Sequence, residues 1–182
     1  VSGFYSRADD RIFAVVDTEN EESDNTLFHE YGHHYLFQYQ NAAYPGWFVE
    51  GFAEYFAPSE MGISRVRYGM YRPGRLYSLQ DTNGWVPMED VLRSRTSGLV
   101  AGQMPGYYAQ SWALTHYMFA DPQRTRQLGA YLGQVARGVD PVLGFDLGRR
   151  STRCALHHGC RHHAELRHRA RRQQQRGAEH QA

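Results

Sequence analysis

Lysine and long apolar runs are both missing from this chain. All 20 of its basic residues, in a total of 182, are arginines. No apolar run approaches the roughly 20 residues that a membrane-spanning helix needs, so we expect no transmembrane segment. Only two cysteines occur, Cys154 and Cys160, both near the end of the chain. The residues before them therefore contain no disulfide, and their fold must rest on a hydrophobic core.

The net charge of +1 hides two unlike parts. Up to residue 148 there are 11 arginines and 17 acidic residues, a balance of −6. From Arg149 to Ala182 nine arginines stand against two glutamates, a balance of +7. Because the larger part is mildly acidic, we expect no nucleic-acid partner.

The basic end of the chain also lacks the residues of a core. Residues 149–182 contain no Val, Ile, Met, Phe, Tyr or Trp. Such a segment cannot bury enough apolar area to offset its chain entropy. We therefore predict a folded domain over 1–147 and an Arg- and His-rich tail over 148–182 that is disordered, marginally helical or non-native.

The most informative pattern present is H-E-x-x-H, from His29 to His33. Residues four apart lie on nearly the same face of a helix, so His29 and His33 present two imidazoles that one zinc ion can bridge. Glu30 lies beside them and can take a proton from a water that zinc activates. His34 is five positions from His29 and points off this face. The alternative for so short a pattern is a pair of surface histidines on an amphipathic helix.

A second helical pattern, PGWFVEGFAEYF, carries two glutamates four residues apart. A catalytic zinc takes three protein ligands and keeps one position open, and Glu50 is the natural third ligand. Sixteen residues separate it from His33, enough for the first helix to end, turn at 44–46 and return antiparallel. Glu54 lies one turn beyond Glu50, where it can accept the outer N–H of a liganding histidine, His29.

Periodicity and turn residues predict an α+β fold with a small N-terminal β-sheet and a helical subdomain. We predict a strand at 11–16, with a partner beginning near Phe4 and Tyr5. Residues 59–86 are glycine-rich and irregular, with a short strand at 63–68. The predicted helices cover 26–40, 47–56, 87–92, 107–119 and 122–135.

These two motif segments together resemble the gluzincin metallopeptidases. The nearest likeness is to the peptidase MA-like domains of bacterial proteins, and a more distant one is to aminopeptidases with a W-x-x-E-G-x-A-x-Y segment. The likeness is specific over residues 26–57 and weaker from about 3 to 146. It implies that 1–147 is a zincin-like domain, which we expect to be a fragment or a processed chain because it starts at Val1.

The resemblance implies zinc-dependent hydrolysis of a peptide or protein substrate. His29, His33 and Glu50 then bind the zinc, and Glu30 is the catalytic base. Glu54 matches the acid that follows the third ligand in gluzincins. The ligand types alone leave cobalt or manganese open. The exopeptidase signature of the aminopeptidases, a G-x-M-E-N-type segment, is absent, which favours an endopeptidase.

A zinc peptidase also needs a donor for the oxyanion of its tetrahedral intermediate. In the related aminopeptidases a tyrosine begins a helix for this purpose, and by that resemblance Tyr108 is the candidate. Tyr107 is its rival, and an ordinary core tyrosine is the alternative for both.

Two other functions stay open. The chain could be a catalytically inactive zincin-fold module that binds peptides or a partner, or a truncated product without function. The cellular location is also open, and a periplasmic or secreted protein is favoured if a preceding segment carries an export signal.

Overall fold

The computed structural model describes residues 3–8, 11–17, 19, 23–38, 43–93 and 96–156. Over these ranges the chain forms seven α-helices and two small antiparallel sheets, so the predicted α+β class is confirmed. None of the helices described is long and apolar enough to cross a membrane. Residues 157–182, most of the predicted tail, lie outside the described residues.

The N-terminal sheet is a hairpin of β1 (Gly3–Ala8) and β2 (Arg11–Val16). Its antiparallel register runs from Gly3 opposite Val16 to Ala8 opposite Arg11. The strand predicted at 11–16 is confirmed, since its aromatic and β-branched residues suit a pleated surface. Both strands contact the first helix, α1.

Helices α1 (Ser23–Gln38) and α2 (Gly46–Phe56) confirm the two helices predicted around the motifs. They pack so closely that a Cβ added at Gly32 would lie 3.0 Å from the Ala53 Cα. Gly51, on α2, lies against the next long helix, α5. A Cβ there would lie 2.3 Å from the Ser111 carbonyl oxygen. Small residues therefore let α2 approach both neighbours.

Between α2 and the later helices the prediction was partly wrong. The predicted strand at 63–68 is only the two-residue β4 (Val66–Arg67), paired with β3 (Glu60–Met61). The region predicted as irregular contains a helix, α3 (Pro73–Gln80). Proline at its first turn has φ preset for a helix, and Arg75 ties the helix to Glu54 of α2. The short helix α4 (Met88–Arg93) lies close to its predicted position.

The remaining helices are α5 (Met104–Phe119), α6 (Pro122–Val135) and α7 (Pro141–Leu156). The first two confirm predicted helices, and Asp121 caps α6 by accepting the backbone N–H groups of Gln123 and Arg124. On α5 the buried Gln110 side chain accepts the N–H of Val86 at 2.9 Å and donates to its carbonyl at 2.7 Å.

Contacts divide the chain into two compact units, residues 1–42 with 46–116, and residues 43–45 with 117–182. Among the described residues, the first has a core that includes Trp47, Val91 and Tyr107. In the second, α6 packs on α7 around Leu128, Tyr131 and Leu147. Helix α7 crosses the boundary predicted after residue 147 and continues to Leu156, so that domain boundary stays a prediction.

Candidate metal centre

Three side chains of the two motif helices converge in the first unit. One ligand atom from each of His29, His33 and Glu50 lies within 4.8 Å of the other two. The helices run antiparallel, because His29 contacts Glu54 whereas His33, one turn later, contacts Glu50. The three residues form a group that could hold a metal ion.

The separations within the group suit a single small cation. The two Nε2 atoms of His29 and His33 lie 3.1 Å apart. Each is 3.6 Å from Oε2 of Glu50. Tetrahedral ligands at 2.0–2.2 Å from a zinc ion are about 3.3–3.6 Å from one another. The two sides that end at Glu50 match that spacing, and the side between the two histidine nitrogens is slightly shorter.

One carboxylate oxygen of Glu50 is buried without a hydrogen bond from the part of the chain that the structure describes, which is energetically unfavourable. Oε2 of Glu50 is buried and has no hydrogen-bond partner among the described residues. The same holds for Nδ1 of His33, on the far side of its ring. An unsatisfied buried acceptor costs about 1–3 kcal/mol, and more when charged. A cation between Glu50 and the imidazoles would remove that cost.

Glu54 contacts the ring nitrogen of His29 that is opposite the one near His33 and Glu50. The side chain of Glu54 is 2% exposed, and its Oε1 lies 3.3 Å from Nδ1 of His29. A carboxylate here fixes the ring and keeps Nε2 as the atom that faces the metal. Glu54 is held in turn by Arg75, whose Nε and Nη2 donate to the two carboxylate oxygens at 2.7 and 2.5 Å.

The two histidines differ electrostatically. Burial disfavours a charged His29, but the facing carboxylates of Glu50 and Glu54 outweigh it and raise the pKa of His29 to about 9. For His33 burial prevails and lowers the pKa to about 4. Glu54 is buried too, yet its bonds from Arg75 and His29 lower its pKa to about 2. A metal ion must therefore displace a proton from His29.

Glu30 and Tyr108 lie near this group. Glu30 follows His29 on α1 and is 8% exposed. The Tyr108 ring, on α5, is centred 6.2 Å from the His29 ring. Burial raises the pKa of Tyr108, and the charges of Glu50, Glu54 and Glu30 raise it further, so its hydroxyl keeps its proton. Tyr107 is fully buried in the core.

The sequence did not predict the role of two arginines at the start of α3, Arg72 just before it and Arg75 in its first turn. Arg75 bonds Glu54 and lies with its Cζ 5.1 Å from the Tyr108 ring centre. Arg72, one turn earlier, is 3.7 Å from Oε2 of Glu54. The signal that could have located this helix is Pro73, since proline favours the first turn. No local pattern pairs Arg75 with a glutamate 21 residues away.

Fold and site together define an α+β protein with a two-histidine, one-glutamate group suited to a metal ion. Residues 23–141 match a family described as "Protein of unknown function (DUF1570)". The match covers more than half of the chain, which therefore belongs to this family. It spans all of the candidate site residues. Comparison with curated proteins and with solved structures found no match.

Proposed function

We propose that this protein is a zinc-dependent peptide-bond hydrolase of the gluzincin type, with an endopeptidase preference. The observation that carries the proposal is the convergence of His29, His33 and Glu50 on one point, with Glu30 next to His29 on the same helix. Two nitrogens and one carboxylate oxygen are the donor set of many catalytic zinc sites.

His29, His33 and Glu50 would hold the ion. When bound, zinc polarises a carbonyl and lowers the pKa of water from 15.7 towards about 7. Three protein ligands leave room for water and substrate, which distinguishes a catalytic from a closed structural site.

Glu30 would act as general base and then as general acid. Its carboxylate takes one proton from the attacking water as the new C–O bond forms at the substrate carbonyl. It then delivers that proton to the amide nitrogen as the C–N bond breaks. The products are a carboxylic acid and an amine, and no further reactant is consumed.

Tyr108 would donate a hydrogen bond to the oxygen on which negative charge develops. The donor must carry a proton, and the raised pKa of Tyr108 keeps its hydroxyl protonated at neutral pH. Its ring centre lies 6.2 Å from the centre of the His29 ring.

Glu30→Gln separates metal binding from chemistry. We expect the variant to retain one equivalent of zinc and to lose about 10²- to 10⁴-fold in hydrolysis of end-blocked peptides. The matched control is Glu89→Gln, which removes an exposed carboxylate on α4 and should leave turnover unchanged. Metal content is measured by elemental analysis and products by mass spectrometry.

Turnover retained by Glu30→Gln would refute the assigned base. A wild-type protein that holds zinc yet cleaves no member of a broad library of end-blocked peptides would support the binding-module alternative instead. Cleavage only of peptides with free ends would contradict the endopeptidase preference.

A further inference from the structure

Arg75 makes a two-point contact with a buried carboxylate beside the metal group. Its Nε and Nη2 donate to Oε2 and Oε1 of Glu54, a two-point arrangement that fixes the carboxylate plane. The Glu54 side chain is 2% exposed and that of Arg75 is 23% exposed, so the carboxylate end of this contact is shielded from water. The pair connects α3 to α2.

The same carboxylate reaches the candidate ligand set. Oε1 of Glu54 accepts from Nη2 of Arg75 and lies 3.3 Å from Nδ1 of His29. The opposite ring nitrogen of His29 faces His33 and Glu50. Arg75 thus contacts the metal group through one intervening side chain.

The guanidinium is itself confined. Its carbon lies 5.1 Å from the centre of the Tyr108 ring, within the range of a cation–π contact. Arg75 therefore lies between Glu54 of α2 and Tyr108 of α5.

We propose that Arg75 is a positioning residue for the metal centre, because its guanidinium fixes the Glu54 carboxylate that orients the His29 ring towards the ion. This inference rests on the proposed function only in requiring that a metal is bound. Lysine cannot replace arginine in the role, since an ammonium group lacks the planar fork that engages both oxygens at once.

The test compares Arg75→Lys and Arg75→Ala with the wild-type protein. Zinc dissociation constants are measured by competition with a chromophoric chelator, and coordination geometry by the visible spectrum of the cobalt-loaded protein. Loss of a carboxylate's support for a ligating histidine weakens metal binding by about 10- to 100-fold. We expect that loss in both variants, with an altered cobalt spectrum and an unchanged circular dichroism spectrum.

Arg72→Lys is the matched control. Arg72 is the residue just before the same helix, three positions earlier in the chain and 3.7 Å from the same carboxylate. If the two-point contact matters rather than charge alone, Arg72→Lys should bind zinc within about threefold of wild type. In the double variant Glu54→Gln with Arg75→Lys, the arginine change should add nothing to the loss from Glu54→Gln, since both act through one contact.

Zinc affinity within threefold of wild type in Arg75→Lys overturns the inference and leaves the proposed function intact. An equal loss in Arg72→Lys, or additive losses in the double variant, also overturns it. An Arg75→Lys protein that does not fold does the same, since Arg75 would then be a folding residue. A wild-type protein that binds no zinc refutes the proposed function instead.

Discussion

The paired helices α1 and α2 present two very different faces. On the metal face, His29, His33, Glu50 and Glu54 each place an ionisable group within 3.1–3.6 Å of at least one of the others. On the other side, rings and aliphatic groups line a cavity of about 430 Å³, the aromatic groove. Its walls include Phe28, Tyr31, Tyr35, Phe52, Phe56 and Met61.

The contact of Gly32 with Ala53 separates the two faces. A shift of one residue along either helix turns a side chain by about 100° and so moves it between faces. The groove face is held by ring contacts, such as the stack of Tyr35 on Phe52 at 6.0 Å. The metal face gathers like-charged carboxylates and buried nitrogens that cost stability until they are paired. The groove face therefore supports the fold through apolar contacts, whereas the stability of the metal face depends on how its ionisable groups are paired.

Of all changes on the two faces, removal of a metal ligand should have the largest effect on zinc binding. His33→Ala or Glu50→Ala should weaken zinc binding by a factor on the order of 100 or more, because each ligand contributes roughly 3 kcal/mol. Zinc should then no longer raise the melting temperature. His34→Ala is the control, since His34 is the adjacent histidine but not a member of the group. Equal zinc loss in that control would contradict the assignment.

Acid should destabilise the metal-free protein through the ionisable groups of the metal face. The folded pKa of Glu54 is about 2 against 4.5, so its contribution of about 3 kcal/mol is complete above pH 4.5 and lost as pH falls towards 2. The raised pKa of His29 adds stability below pH 6.5 that is lost as pH rises through 9. The lowered pKa of His33 subtracts stability below pH 6.5.

Together these shifts place the stability maximum of the metal-free protein near pH 6.5. Thermal melts from pH 2 to 10 in chelator measure it. In Glu54→Gln the steep loss of stability at acidic pH should disappear. In Phe52→Ala, which alters the aromatic groove, that loss should remain. An unchanged acid profile in Glu54→Gln would contradict the ion pair.

Gly51→Ala tests the close packing of α2 on α5. The new methyl group would lie 2.3 Å from both the Ser111 carbonyl oxygen and Thr115 Oγ1, so the helices must separate. We expect a loss of about 2–3 kcal/mol in the free energy of unfolding. Gly129→Ala on α6 meets nothing within 4 Å and should gain up to about 1 kcal/mol. Denaturant titration measures both, and equal effects would contradict the contact.

Among these variants, Phe52→Ala should have the smallest effect on zinc affinity. That result would show that the aromatic groove supports the fold and not the metal group. Its ring contacts Tyr35, Phe48 and Phe56, and its removal should cost about 2 kcal/mol of stability. Zinc affinity should stay within about threefold of wild type because the ring faces away from the ligands. A larger loss of zinc would show that the two faces are coupled.

Sequence reasoning located what depends on local pattern. The β2 strand and helices α1, α2, α5 and α6 follow from periodicity and from boundary residues such as Asp121. The ligand triad could be proposed because helical spacing determines which side chains share a face. The chemical roles of Glu30 and Tyr108 remain predictions.

The features that local sequence patterns could not predict depend on tertiary contacts. Helix α3 has only eight residues, with Gly74 inside it and no buried side chain, so its sequence carries little helical signal. Its bond from Arg75 to Glu54 joins two helices that no spacing rule relates. Helix α7 continues to Leu156, past the boundary predicted after residue 147, and that boundary stays a prediction.

The side chain of Gln110 does for one residue what a neighbouring strand would do. It satisfies both the N–H and the carbonyl of Val86, the pair of groups that a β-ladder would otherwise engage. The backbone at Val86 can therefore lie against α5 without pairing with a β-strand. One amide, placed two residues after Tyr108, thus satisfies a buried backbone position that neither of the described sheets reaches.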